Sequence, residues 1–286
     1  PLLRRRLANQ DQGHEVEHLS RVNLVGFAED ERGEDLTGLL EAVGVPVNVS
    51  VLPVLDLDDL GRAGAAAVQV LRSDEQLDDL YAPFRELPLA TVEAEAPYGP
   101  GRTGHWLAAV GEALGRAGEV EARWKSMWAT HAQEWDDLRA RAARHTLGLV
   151  LRLDQLVRLG DPRRCHAVPL IPVLEEMGFR LALAVPSAGF HDKGRLRRRA
   201  VDSWNAQAAC APAELTVVRT PSELDELLRS GAFSACLSDF HFDRRLSAAG
   251  VGRFSAGDLR MGPEGTLETL RRLLRVCEAP FTRRYA

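Results

Sequence analysis

The sequence has few cysteines and no excess of basic residues, and each of these absences excludes a class of protein. Among its 286 residues only four are cysteine, and they are far apart with no Cys-x-x-Cys pair. This argues against a disulfide framework or a self-contained zinc site and fits a reducing, cytoplasmic location. Lys and Arg number 36 against 41 Asp and Glu. We therefore expect no nucleic-acid partner, because neutralising phosphates requires a basic surplus.

Long apolar runs are also missing. No stretch approaches the roughly 18 apolar residues that cross a bilayer, and the N-terminal residues lack a signal peptide's apolar core, so we expect neither a membrane span nor secretion. Residues 1–20 form a polar segment that starts with Pro1 rather than Met, which is compatible with further residues upstream. The 45% hydrophobic and 27% charged residues are typical of a globular protein long enough for two domains.

What the chain does contain is a series of short apolar runs that alternate with amphipathic segments. The candidate strands are Val22–Phe27, Val45–Leu52, Ala65–Leu71, Leu87–Val92, Thr146–Leu153, Phe179–Val185, Leu215–Val218 and Phe233–Leu237. Apolar strands that alternate with helices are typical of parallel sheets covered on both faces. We predict an α/β fold of two tandem Rossmann-like domains with parallel sheets, at residues 21–118 and 146–286.

The two halves end on the same pattern. Gly99-Pro100-x-x-Thr103 and Gly262-Pro263-x-x-Thr266 each precede a final helix. Gly permits an unusual φ, Pro fixes the turn, and Thr suits the capping of the first helical turn. Because both copies occupy the same place in the series, we interpret them as an internal duplication. The alternative is two unrelated copies of a common turn.

A Trp-rich segment at residues 119–145 separates the two halves. Trp124, Trp128, His131 and Trp135 recur at helical spacing, which predicts one long connecting helix with a single aromatic stripe. We expect this stripe to pack the two domains together. The alternative is that it lines an aromatic cofactor pocket or a partner interface.

Ligands of open parallel sheets bind beyond the carboxyl ends of the strands, and we expect the cleft between the two domains to be the site. The candidate ligand-binding residues at these ends are Gly26, Phe27, Arg72, Ser73, Tyr98, Gly99, Gly101, Arg102, Thr103, Asp239 and His241.

Several of these candidates also have a purely structural explanation. The turn from Gly99 to Thr103 can cradle an anion with Arg102 as counter-charge, but it lacks a phosphate-loop signature and is also explained as a structural turn. Asp239 and His241 can supply a general acid or a ligand, or they are ordinary loop residues. The sequence assigns no catalytic residue.

The order of these signals resembles the component-1 subunits of nitrogenase and of the dark-operative protochlorophyllide and chlorophyllide reductases. The resembling stretches are Val22–Gly26, Glu34–Leu40, Gly44–Asn48, Ala96–Gly99 with Thr103, Trp106 and Leu107, and Met261–Thr266. The resemblance implies the second and third of three Rossmann-like domains. It also implies a homologous component-1 partner subunit, in a heterodimer or heterotetramer, and electrons from an ATP-dependent iron-sulfur protein.

The ligands expected from the resemblance are absent at the matching positions. The first domain of the family, which carries the cluster Cys residues, has no match. The strand at Val68–Ser73 lacks the cofactor Cys, and residues 252–261 contain no His. Arg72-Ser73 does match an Arg-Ser pair that follows the cofactor Cys of the family. The resemblance therefore implies no cofactor bound by this chain alone, and an iron-sulfur cluster only in the complex.

We expect a subunit of a nitrogenase-like oxidoreductase that acts on a tetrapyrrole or another small substrate. The alternatives are a cofactor-binding or assembly scaffold of the same fold without redox turnover, and a glycosyltransferase-like enzyme that uses a nucleotide sugar.

Overall fold

The computed structural model describes residues 20–27, 36–52, 56–165, 168–187, 191–238 and 243–279. The chain divides into two compact units. The first unit comprises residues up to His131 with the segments Pro162–Val168 and Met261–Gly265, and the second comprises Ala132–Asp161, Pro169–Arg260 and the residues from Thr266. The domain limits expected from the sequence, at 118/119 and 145/146, stay a prediction.

The first unit is built on a sheet of four parallel strands in the order β2-β1-β3-β4. Its strands are β1 (Val22–Val25), β2 (Val47–Val51), β3 (Val68–Arg72) and β4 (Ala90–Ala94). Its helices are α1 (Leu36–Ala42), α2 (Leu57–Arg62), α3 (Asp78–Arg85), α4 (Pro100–Ala113) and α5 (Ala117–Ala129). The two central strands, β1 and β3, are buried along almost their whole length. This explains their near-continuous apolar sequence.

Two fully buried polar side chains lie on the central strands, and the amide nitrogen of each donates a hydrogen bond, whereas the Gln69 Oε1 atom has no partner among the described residues. The Asn23 amide donates to the Ala63 carbonyl oxygen at 2.6 Å. The Gln69 amide donates to the Phe84 carbonyl oxygen at 2.6 Å and to the Thr91 hydroxyl at 2.8 Å. These bonds offset the cost of burying the amides and tie the central strands to the segments beside them.

The second unit is built on five parallel strands in the order β7-β6-β5-β8-β9. The strands are β5 (Thr146–Val150), β6 (Arg180–Pro186), β7 (Glu214–Val218), β8 (Ala235–Leu237) and β9 (Gly252–Phe254). The helices are α6 (Ala132–Ala142), α7 (Leu153–Leu159), α8 (Leu170–Glu176), α9 (Lys193–Asn205), α10 (Pro221–Arg229) and α11 (Arg244–Ala249). A last helix, α12 (Gly262–Glu278), begins in the first unit and continues in the second.

Each sheet has one place where the direction of strand succession reverses. In the first unit the chain passes from β1 to β2 on one side and then crosses to β3 on the other. In the second unit it passes from β5 through β6 to β7 and then returns to β8, on the far side of β5. The gaps at the carboxyl ends of β1 and β3, and of β5 and β8, are therefore the topological switch points at which such folds bind ligands.

The predicted fold class of two parallel-sheet Rossmann-like units is confirmed, but the connecting segment differs from the prediction. It forms two helices, α5 and α6, rather than one. The amide groups of Thr130 and His131 bond to carbonyls three residues back, and the Thr130 hydroxyl donates to the Met127 carbonyl oxygen at 2.7 Å. These tighter bonds satisfy the last carbonyls of α5 and end it there. Trp124 and Trp128 stack at 5.6 Å on α5, whereas Trp135 lies on α6.

Among the described residues, no helix combines the length and the apolar character that crossing a membrane requires.

Candidate functional site

A group of residues that we call the β1–β3 cluster, Gly26, Phe27, Arg72, Ser73 and Tyr81, lies at the switch point of the first unit. Gly26 follows β1 with a φ of 85°, a conformation that favours glycine. Its amide donates to the Val51 carbonyl oxygen at 2.9 Å. A Cβ atom on Gly26 would lie 2.0 Å from the Tyr81 hydroxyl oxygen. Glycine is therefore required here both for the backbone and for the close approach of Tyr81.

Arg72 ends β3 and holds a buried ion pair. Its guanidinium donates to the Asp74 carboxylate at 2.8 Å, and the Asp74 side chain is only 1% exposed. Asp74 also accepts from the Gln76 amide at 3.0 Å, which fixes the carboxylate at the start of the following turn. The Arg72 Nε atom is buried and has no acceptor in the described part of the chain. Ser73 continues the sheet, since its amide donates to the Ala94 carbonyl oxygen at 2.8 Å.

The Tyr81 hydroxyl is a second buried polar group of this cluster. Burial raises the pKa of Tyr81 to about 12, with the positive charge of Arg72 acting in the opposite direction. The phenol therefore stays neutral and able to donate a hydrogen bond at physiological pH. Within the described ranges the hydroxyl has no acceptor for its own proton, although the Arg72 guanidinium lies near enough to its oxygen to act on its pKa. A buried polar group without a partner destabilises a protein by about 1 to 3 kcal/mol, so its retention calls for an explanation.

The aromatic side of the cluster is formed by Phe27. Its ring meets the ring of Trp106, from α4, edge to face at a centroid distance of 5.7 Å. Both side chains are almost completely buried. The Trp106 Nε1 atom is buried too and donates to no acceptor among the described residues. Three buried N–H or O–H groups, on Arg72, Tyr81 and Trp106, thus surround this strand end without an acceptor.

The Gly99–Thr103 turn has a structural arrangement. Gly99 has a φ of 78° and precedes α4, whose first residue is Pro100. The Thr103 hydroxyl is buried and donates to the carbonyl oxygens of Gly99 at 2.6 Å and Pro97 at 3.0 Å. The expected capping of amide groups by Thr103 is therefore wrong, because this residue lies inside the helix and bonds backward to carbonyls.

Arg102 does not stand as a free counter-charge in this turn. Its guanidinium donates to the Glu95 carboxylate at 2.5 Å, and both side chains are partly exposed. Tyr98 is buried and its amide donates to the Ala96 carbonyl oxygen at 2.9 Å, whereas Gly101 is exposed. A role of these residues in ligand binding stays a prediction.

Asp239 and His241 lie outside the described residues. The residues before and after them, Ser238 and Asp243, are described, and the Ser238 hydroxyl donates to the Asp243 carboxylate at 2.9 Å.

The described residues do not fit an iron-sulfur cluster held by this chain alone. They contain no group of three or more His, Cys, Asp or Glu placed to hold a metal ion. Cys236 and Cys277 are buried, and burial raises the pKa of each thiol to about 12.

Three residues of the site were not among the sequence candidates: Asp74, Tyr81 and Trp106. Asp74 follows Arg72 by two residues at a strand end, and this spacing was a usable signal for a local ion pair. The apolar spacing of the sequence indicates a helix at Tyr81, which lies on α3, but gives this residue no role in the site. Its contact with Gly26 joins two segments far apart in sequence, which no local pattern indicates.

The fold and the site define an α/β protein with two parallel sheets and a cluster of unpaired donors at a strand switch point. The chain belongs to the family of nitrogenase component 1 type oxidoreductases, whose family model matches residues 3–278.

Two solved structures show the same fold. One, a structure of nitrogenase Cp1 at pH 5, has a TM-score of 0.60 and 13% identity and covers 97% of this chain. A second, of nitrogenase Cp1 at pH 6.5, has a TM-score of 0.59 and 10% identity and covers 99% of this chain. This chain spans only 59% and 63% of the lengths of those chains. No curated protein sequence matches it significantly.

Proposed function

We propose that this chain is a subunit of a nitrogenase-like two-component oxidoreductase. In this proposal a homologous component-1 subunit supplies the cluster ligands, an ATP-dependent iron-sulfur protein supplies electrons, and this chain contributes substrate-binding residues. The observation that carries the proposal is the family match over residues 3–278.

The β1–β3 cluster favours a substrate that carries hydrogen-bond acceptors on an apolar body. Arg72 and Tyr81 each bury a donor without an acceptor in the described chain, and Phe27 and Trp106 place aromatic rings beside them. A carboxylate or carbonyl oxygen would satisfy these donors, and arginine is well suited to bind carboxylates. A tetrapyrrole combines a broad apolar ring with such oxygens, and we infer that it is the substrate class.

A scaffold that binds a cofactor or tetrapyrrole without reducing it is the second candidate. It shares the family match with the reductase subunit and differs from it only in turnover. A scaffold would bind protoporphyrin IX with a shift of the absorbance maximum but support no ATP-dependent turnover. A reductase subunit would show both when combined with its partner and its electron donor.

The direct test is affinity purification of the full-length tagged protein from its own cells without oxygen. We expect a second, cysteine-bearing component-1 chain in equimolar amount, together with the brown absorbance near 400 nm of an iron-sulfur cluster. A colourless protein that elutes without any homologous chain would contradict the proposal.

Substitutions at the cluster test the substrate-binding role. We expect Arg72→Gln and Tyr81→Phe, assayed in the purified complex, to raise KM for the substrate at least tenfold. Arg123→Gln is the matched control, because Arg123 also pairs with a carboxylate, that of Glu119, but on an exposed face of α5 in the same unit. If Arg72→Gln and Arg123→Gln changed KM equally, the cluster would not be the binding site.

A further inference from the structure

The switch point of the second unit encloses a cavity that the proposed function does not use. Its volume is about 360 Å³, within the range of small-molecule sites. We call it the β5–β8 cavity. It is lined by Val150, Leu151, Gln155, Leu224, Leu228, Cys236, Leu237, Ser238, Asp243, Arg245 and Leu246.

The walls of this cavity are mainly apolar. Val150 and Leu151 lie at the end of β5, and Cys236 and Leu237 belong to β8. Helix α10 adds two leucines and α11 adds one. The Cys236 thiol is buried and has a raised pKa because of that burial, so it contributes a neutral wall rather than a nucleophile. Such a lining favours an apolar molecule.

Among the described lining residues the polar ones are Gln155, at the start of α7, and Ser238, Asp243 and Arg245, which follow β8. The Ser238 hydroxyl donates to one Asp243 carboxylate oxygen at 2.9 Å, and the other accepts from the Arg245 amide at 3.0 Å. These bonds hold the carboxylate in a fixed position. The Arg245 guanidinium is turned toward Asp225, at 3.8 Å, and half its side chain is exposed. The fixed charge of the cavity is therefore an acceptor, which favours a ligand that donates a hydrogen bond.

The start of the helix that follows β5 is not arranged to bind a phosphate. At the start of α7 the Gln155 side chain accepts from the Arg152 amide at 2.9 Å, and the Arg152 side chain turns to Asp154 at 2.6 Å. Arg152, the basic residue at this helix start, is thus already paired, unlike the free helix terminus and glycine-rich turn of a nucleotide site.

We propose that the β5–β8 cavity binds a small, mostly apolar molecule that carries one amine or hydroxyl group directed toward Ser238 and Asp243. The proposal rests on the second unit alone and does not depend on the proposed redox function.

The test uses the whole protein and 1-aminonaphthalene, an apolar fluorescent probe with one donor group, excited beyond the absorption of tryptophan. We expect saturable fluorescence enhancement with one site per chain. Helix α10 offers a matched pair of variants: Leu224 lines the cavity, whereas Leu227 is a half-buried leucine of the same hydrophobic cluster that does not line it. We expect Leu224→Trp to weaken binding at least tenfold and Leu227→Trp to change it less than twofold.

A second measurement tests the contact of the ligand's donor group with Ser238 and Asp243 without a bulky substitution. We use two competitors of the same shape, 1-naphthol, which has a hydroxyl donor, and 1-methylnaphthalene, which has none. We expect 1-methylnaphthalene to displace the probe at least fivefold less effectively than 1-naphthol does. Three results would overturn the proposal: no saturable binding to the wild-type protein, equal effects of the two Trp variants in chains with wild-type circular dichroism, or equal displacement by the two competitors. Failure here would leave the partner purification unaffected, so the two proposals are separable.

Discussion

The two switch points of this molecule share a topology and differ in chemistry. At the first, Tyr81 fills the space against Gly26, and three buried groups have no acceptor among the described residues: the Arg72 Nε, the Tyr81 hydroxyl and the Trp106 indole N–H. At the second, the strand ends border a cavity of about 360 Å³ with leucine, valine and cysteine walls. Strand order thus sets where a site forms. The side chains on the neighbouring helices set whether that site is polar or apolar.

At the first strand of each unit, β1 or β5, a glycine lies beneath an aromatic side chain, but at a different position along the strand. Gly26 lies just beyond the end of β1, so the Tyr81 hydroxyl occupies the strand end. Gly148 lies in the middle of β5, where a Cβ atom would be 2.6 Å from the Phe233 ring. The ring of Phe233 therefore fills space along β5 and leaves the strand end free.

Gly26→Ala is expected to have the largest effect on stability. The new methyl group meets the Tyr81 hydroxyl, and the backbone conformation is unfavourable for alanine, so we expect a loss of about 3 kcal/mol in the free energy of unfolding. Urea unfolding measures this loss. Adding Tyr81→Phe removes the nearest atom and should restore at least about 1 kcal/mol.

Gly115→Ala is the matched control for backbone strain. Gly115 has a φ of 69°, but nothing lies within 4 Å of the position of a Cβ atom. We expect a loss of only about 1 kcal/mol, from the backbone alone. Equal losses for Gly26→Ala and Gly115→Ala would show that Tyr81 does not close the first switch point.

Gly148→Ala tests the corresponding contact of the second unit. Its methyl group would overlap the Phe233 ring without any backbone strain, and we expect a loss of about 2 kcal/mol. Phe233→Leu in the same chain should recover part of that loss in a urea unfolding experiment. Full additivity of the two substitutions would contradict the contact.

Alkaline pH should act first on the buried thiols of the second unit, because the ordinary pKa of a thiol, 9.0, lies below that of the buried Tyr81 phenol of the first unit, 10.0. Burial raises the pKa of Cys236 and Cys277, both in the second unit, from 9.0 to about 12. A folded pKa above the unfolded one means that stability is fully present below pH 9 and is lost as the pH rises toward 12. We expect each thiol to cost about 1 kcal/mol between pH 9 and 10.

The measurement for this prediction is the urea midpoint as a function of pH. The double variant Cys236→Ala, Cys277→Ala should show a smaller decline of the urea midpoint above pH 9 than the wild-type protein. The control variant Cys210→Ala, at an exposed cysteine, should show the same decline as the wild type. A decline that is unchanged in the double variant would show that other groups control alkaline unfolding.

Much of the fold could be predicted from the sequence, because buried parallel strands are read from short apolar runs. Strand β9 and helices α2, α7 and α11 were missed, since segments of three to seven residues show little of a period. On α3 the apolar residues Leu80, Tyr81 and Phe84 recur at a spacing typical of a helix, but Leu80 is 49% exposed and the buried residues of this helix are Tyr81 and Phe84. Helical spacing locates a face only to within about one residue.

The candidate site was harder to predict than the fold. Gly26 and Arg72 were found because they follow strands, and strand ends of parallel sheets converge. The role of Tyr81 depends on the approach of α3 to the end of β1, and the lack of acceptors around the buried donors appears only when all neighbours are known. Arg102 appeared free in the sequence because its partner, Glu95, lies in the preceding strand connection.

The unfolding free energy of Tyr81→Phe in the ligand-free protein tests the central claim most directly. If the hydroxyl is buried without a partner and awaits an acceptor from a ligand, its removal should leave stability unchanged or raise it by up to about 1 kcal/mol. A loss of more than about 1 kcal/mol would mean that the hydroxyl already has a bond within the folded chain, and the first switch point would then be part of the core rather than a binding site.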